Sequence, residues 1–140
     1  MKDNWINAIN ILNDGNYTCV LCRGDAIYTS TQRGVKPLLD WLDDGIDVKG
    51  FSAADKVVGK AAAFLYVLLG VKEVYARVMS ESAIDTFVKN GILPQYDLSV
   101  KSIINRAGTG NCPMEEAVKN TDIPEEALTL IKRRLAELNR

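Results

Sequence analysis

A-A-D-K-V-V-G-K-A-A-A-F-L-Y-V-L-L, residues Ala53–Leu69, is the stretch on which the fold turns. Its second half is an almost unbroken apolar run, and its first half carries Asp55, Lys56, Gly59 and Lys60. A helix apolar on every side is a buried one. The run Ala61–Val71 is far shorter than the ~20 residues that span a bilayer. The stretch therefore reads as the central helix of a small α/β domain, running from about Asp55 to Leu69 and stopping at Gly70. Its charged N-terminal end is expected to point at a cleft.

Working outward, Asp3–Asn13 carries Trp5, Ala8, Ile9 and Leu12 at helical spacing, and Asp14-Gly15-Asn16 closes it as a turn. Tyr17–Cys22 and Ala26–Thr31 are β-branched and aromatic, and Arg23-Gly24-Asp25 joins them too tightly for anything but an antiparallel hairpin. Gly34–Leu42 reads as a short helix with Pro37 in its first turn, and Ile46–Phe51 as a brief extended segment. After the central helix, Lys72–Met79 predicts a strand. A helix through Lys89 follows, with N-cap candidates in Ser80-Glu81-Ser82. Tyr96–Asn105 predicts a further strand, and Cys112–Lys119 a short helix. A last helix opens on a capping box from Asp122 to Glu125. The order implies one domain over residues 1–140: a mixed β-sheet with helices on both faces, a three-layer α/β (α+β) sandwich.

Composition bounds the function. The 140 residues hold 17 basic and 18 acidic side chains, a net charge of −1, which supplies no field for nucleic acid or an anionic membrane. The opening residues lack the apolar core of a signal peptide, so a cytoplasmic location is expected. Three cysteines in such a chain are expected to be free thiols. Histidine is absent, which removes every His-containing triad and the commonest metal ligand. No cofactor or metal is expected.

Four local patterns carry candidate chemistry. Gly59-Lys60 invites comparison with a phosphate-binding loop, but Ala54 stands where that loop needs glycine and Ala61 where it needs Ser or Thr. What survives is a helix start with Gly59, Lys56 and Lys60 able to hold an anion, against the plainer reading that the lysines are solvated. Cys19 and Cys22 form C-x-x-C, yet on a strand residues three apart point to opposite faces, so they read as small buried hydrophobes. Cys112 follows Gly108-Thr109-Gly110-Asn111 and opens a helix, where amides favour a thiolate. Glu115 and Glu116 nearby oppose that, and an ordinary helix entry is the plainer account of the cysteine. Gly108, Gly110 and Asn111 would let a ligand approach closely. Asp55, finally, stands at an expected helix start, where carboxylates cap regardless of function.

The hairpin, the buried helix and the alternation after it resemble the cytidine-deaminase-like fold. D-K-V-V-G-K-A-A-A at Asp55–Ala63 and G-T-G-N-C-P-M-E at Gly108–Glu115 resemble a family of small bacterial and archaeal proteins assigned to that superfamily, without an established activity. Zinc deaminases place H-x-E or C-x-E at the start of the central helix and P-C-x-x-C at the next. The matching stretches here, Ala53–Lys60 and Met79–Ile84, carry no such ligands, so zinc-dependent deamination is not expected. Three functions follow: a domain holding a nucleotide-like or other anionic small molecule in the cleft without zinc; a zinc-independent enzyme with Cys112 as nucleophile beside Lys60 and Asp55; or, as the resemblance implies, a homo-oligomeric assembly module.

Overall fold

The computed structural model describes residues 2–105 and 107–139. In chain order the elements are α1 (Lys2–Asp14), β1 (Cys19–Arg23), β2 (Ala26–Ser30), α2 (Lys36–Asp43), β3 (Ser52–Val58), α3 (Lys60–Leu69), β4 (Glu73–Ser80), α4 (Glu81–Lys89), β5 (Leu93–Val100), α5 (Pro113–Val118) and α6 (Pro124–Leu138). They build one mixed sheet of order β2-β1-β3-β4-β5. The β1–β2 hairpin is antiparallel, β1 also runs antiparallel to β3, and β3, β4 and β5 are parallel.

The layering follows from handedness. Parallel strands joined through a helix cross over right-handed, and β3–α3–β4–α4–β5 steps in one direction, so α3 and α4 fall on one face. They form the larger core there with α2, α5 and α6. The other face is left to α1, whose Ala8 and Leu12 pack against Val20, Cys22, Ala54 and Tyr75. This is the expected sandwich with helices on both faces. Cys19 falls in the larger core and Cys22 in the smaller, on opposite faces as the alternation requires, and neither forms a disulfide.

The opening stretch is corrected at its polar half. Ala53–Val58 is not the first turns of a helix but most of strand β3, the middle strand of five, and α3 begins only at Lys60. A strand covered on both faces loses its alternation and reads as a continuous small or apolar run. Gly59, extended at φ −102°, is the hinge between the two elements. From Ala61 to Tyr66 every residue of α3 is buried, as is Leu69, while Val67 and Leu68 are half-buried. Gly70 ends the helix in the left-handed region at φ 80°, and its N–H donates to the carbonyls of Tyr66 and Val67.

Three smaller expectations also change. Ile46–Phe51 is loop, the strand expected over Tyr96–Asn105 lies earlier as β5, and the Asp122–Glu125 capping box is not made. Ile123 is the N-cap residue of α6, and its N–H is held by Thr121 Oγ1 at 3.1 Å. The Ser80 cap forms as expected, accepting from Ala83 N at 3.1 Å. No helix among the described residues is long and apolar enough to cross a membrane.

Candidate functional site

A cavity of about 660 Å³ opens beside the carboxyl end of β3, where it meets the start of β1 and the N-terminal end of α3. In α/β sheets the carboxyl ends of parallel strands are where ligands are usually held. The wall is mostly apolar, with Val35, Pro37, Ala62, Ile103, Ile104 and Met114 among its contributors. Its titratable groups come from four segments: Cys19 on β1, Arg33 before α2, Asp55 and Lys56 on β3, and Cys112 and Glu115 around the start of α5.

Asp55 lies directly across the ladder from Cys19 and is only 9% exposed. Its Oδ2 accepts from the Tyr66 hydroxyl at 2.7 Å, and its Oδ1 from Val57 N over a long 3.4 Å. The Cys19 thiol sits 3.0 Å from the same hydroxyl. Tyr66 has one hydroxyl proton, which Asp55 takes, so the thiol donates to the tyrosine oxygen. Burial pushes the Asp55 carboxyl up to about 6, against the Tyr66 hydrogen bond, which pulls it down. Burial, followed by the negative charge of Asp55, raises both the Cys19 thiol and the Tyr66 phenol well above their ordinary values. Both groups are therefore neutral near pH 7.

The N-terminal end of α3 is already occupied. Glu115 Oε1 accepts from Lys60 N at 2.7 Å and Oε2 from Ala61 N at 2.9 Å, so a carboxylate from α5 caps a helix that has no capping side chain of its own. Gly59 makes this approach possible, because a Cβ there would clash with the Glu115 carboxylate. Burial still raises the Glu115 carboxyl above its ordinary value, with the two amides and the Lys60 charge opposing it.

The residues singled out from sequence divide between two places. Asp55, Lys56, Gly59 and Cys112 share the large cavity. Lys60 does not: its ammonium reaches the Lys119 carbonyl at 3.2 Å and Asp122 at 3.9 Å, and lies 5.7 Å from the centre of the Phe64 ring. Together with Asn111 it lines a separate depression of about 150 Å³. Asn111 donates to Glu116 Oε1 at 2.9 Å, and with Lys119 this hydrogen bond lowers the Glu116 carboxyl. Gly108 and Gly110 line neither space; their loop folds back on itself through the Ile104–Asn111 bridge and the bond from Asn105 N to the Gly110 carbonyl. Cys112 is half-buried, and its thiol forms no hydrogen bond among the described residues. Among those residues no three Cys, Asp or Glu side chains gather as a metal site requires.

Sequence reasoning missed Cys19, Tyr66 and Glu115 as members of the site. Tyr66 carried a readable signal, since a tyrosine inside an all-apolar helix needs a partner for its hydroxyl, and Asp55 is the only acid in the strand stretch before it. Glu115 carried none: its partners lie 54 and 55 positions away.

Comparison with known proteins places this architecture. The model of the family TM1506, a domain of unknown function (DUF1893), matches residues 7–135, and the chain belongs to that family. The crystal structure of a DUF1893 family protein (TM1506) from Thermotoga maritima superposes with a TM-score of 0.85 at 28% identity, over 98% of this chain and 91% of that one. A diaminohydroxyphosphoribosylaminopyrimidine deaminase/5-amino-6-(5-phosphoribosylamino)uracil reductase from the same organism matches over 68% of this chain and 35% of its own, at 14% identity and a TM-score of 0.42. That likeness is too slight to carry the wider deaminase-like assignment. No curated protein matches.

Proposed function

We propose that this member of the DUF1893 family is a binding domain for a nucleotide-like or other anionic small molecule, held in the large cavity without zinc. The observation that carries the reading is the cavity itself. About 660 Å³, a mostly apolar wall and a few convergent polar groups describe the usual small-molecule site. The anionic part of the ligand is met by Lys56 and Arg33, which line the cavity and whose side chains form no ion pair among the described residues. The α3 amides are not its partner, since Glu115 holds them. The catalytic alternative, Cys112 acting with Lys60 and Asp55, has less behind it: Lys60 faces the other depression, and among the described residues no base is bonded to the Cys112 thiol.

A thermal-shift panel of nucleosides, nucleotides and phosphosugars tests this. A ligand present at 100 times its dissociation constant adds about 2.7 kcal/mol, or roughly 5–10 °C for a chain of this size. The shift is expected to shrink in Lys56→Ala and to persist in Lys60→Ala. A panel without any shift, or an equal loss in both variants, overturns the assignment.

A further inference from the structure

Asp55 is a buried carboxylate facing a cavity, and among the described residues nothing positive is paired with it. A carboxylate has about four acceptor positions. Among the described residues Tyr66 fills one well, the 3.4 Å bond from Val57 N fills another poorly, and the Lys56 amide and Cys19 thiol add only weak further support. Among the described residues the titratable and charged groups around it are Cys19 from β1, Tyr66 from α3, its neighbour Lys56, and across the cavity Arg33, Cys112 and Glu115. Cys19 and Tyr66 are neutral: the Tyr66 hydroxyl donates to Asp55 and the Cys19 thiol to the Tyr66 oxygen. Arg33 is exposed and Lys56 half-buried, which suits the mouth rather than the floor, and neither forms an ion pair with the carboxylate. Glu115 is satisfied by two backbone amides. The inner part of the cavity thus presents acceptor capacity and negative charge, and the outer part positive charge.

A buried ionised group without a counter-charge is costly, and a bound cation removes that cost while filling the open acceptor positions. We propose that the cavity floor at Asp55 is a subsite for a planar, positively charged nitrogen group, an amidinium, a guanidinium or a protonated ring nitrogen. The ligand is then held cation inward, with its anionic part toward Lys56 and Arg33. This rests on the binding function proposed above and adds the chemistry of the ligand's inner end. Charge assistance in a desolvated site is what gives such a contact its strength, so occupancy follows the ionisation of Asp55. Its carboxyl, raised to about 6 by burial, is mostly ionised at pH 7.5 and mostly protonated at pH 5.

Three probes of one shape and different charge separate the possibilities: benzamidine, benzyl alcohol and benzoate, each titrated into the whole chain and followed by amide NMR. At pH 7.5 benzamidine is expected to bind at least tenfold more tightly than the other two, moving the amides of Val57, Ala61 and Ala62. At pH 5 its affinity should fall by about tenfold, the ratio of ionised Asp55 at the two pH values. Asp55→Asn should bring benzamidine to the level of benzyl alcohol and remove the pH dependence. The pH comparison uses the unaltered protein, so it decides even if the variant does not fold. Benzamidine binding no better than benzyl alcohol, or equally at both pH values, overturns the subsite while leaving the binding cavity intact. If none of the three probes moves an amide of the cavity wall, the binding function falls as well.

Discussion

At the scale of single residues, Asp55 couples the candidate site to the stability of the chain. Its carboxyl titrates near 6 when folded and near the ordinary aspartate value when unfolded, so the folded state binds the proton more tightly. Whatever stability that difference represents is present below about pH 4 and is lost as pH rises through about 6. The loss is of order 3 kcal/mol. Glu115, also raised by burial, contributes in the same direction. Urea unfolding from pH 4.5 to 8 is expected to show a decline in the wild type that is shallower in Asp55→Asn. Asparagine keeps an acceptor for Tyr66 without an ionisable charge. The difference between the two proteins cancels every other titrating group. A difference that stays flat across this range, or that grows in the wild type's favour, would mean the carboxylate is not penalised by its burial.

At the scale of elements, β3 and α3 show what the sequence could and could not reveal. Ala61–Leu69 was legible as a buried helix because ten successive residues from Lys60 include no acid and only one charged group, at the N-terminal end. The six residues before Gly59 were not, because a strand buried on both faces has no alternation to detect, and Ala, Asp and Lys extend a helical pattern naturally. Only Gly59 marked the change, and a single glycine inside a helical pattern is an ambiguous sign. The same ambiguity made Asp55 an expected cap, whereas it stands on β3 in the wall of the cavity. Leu65 and Leu68 now test the helix separately. Leu65 is fully buried and Leu68 half-buried. Leu65→Ala should cost about 2–5 kcal/mol through the cavity it leaves, and Leu68→Ala clearly less. Denaturant melts in which both substitutions cost the same would contradict the orientation of α3 on the sheet.

At the scale of the whole molecule, the sheet separates two cores of unequal size, and the cysteines sample both. Cys19 is enclosed on the α3 side and Cys22 on the α1 side, where Asn7 Nδ2 donates to its sulfur at 3.3 Å. Each is at most 1% exposed, whereas Cys112 is half-buried at the edge of the cavity. β1 carries both enclosed thiols and is bonded to β2 on one side and β3 on the other, so neither sulfur can be uncovered by fraying an outer strand. Reaching Cys22 requires α1 to leave, and reaching Cys19, which is 1% exposed in the cavity wall, requires the larger core to open or the cavity to admit the reagent. α1 covers β1, β3 and β4 with a core of its own, small enough that its separate detachment is the principal alternative to a single cooperative unit. We expect one unit, because removing α1 would expose Ala54 and Tyr75 of the central strands as well as Val20. Iodoacetamide labelling resolved by peptide mass spectrometry should then modify Cys112 in the folded state. Cys19 and Cys22 should react more slowly by roughly a thousandfold or more, as expected for access through global unfolding. Raising urea below the transition should accelerate both enclosed thiols with the same slope and leave Cys112 nearly unchanged. A shallower slope and faster reaction at Cys22 would show α1 opening alone, and fast labelling of Cys19 without urea would show that reagents reach it through the cavity.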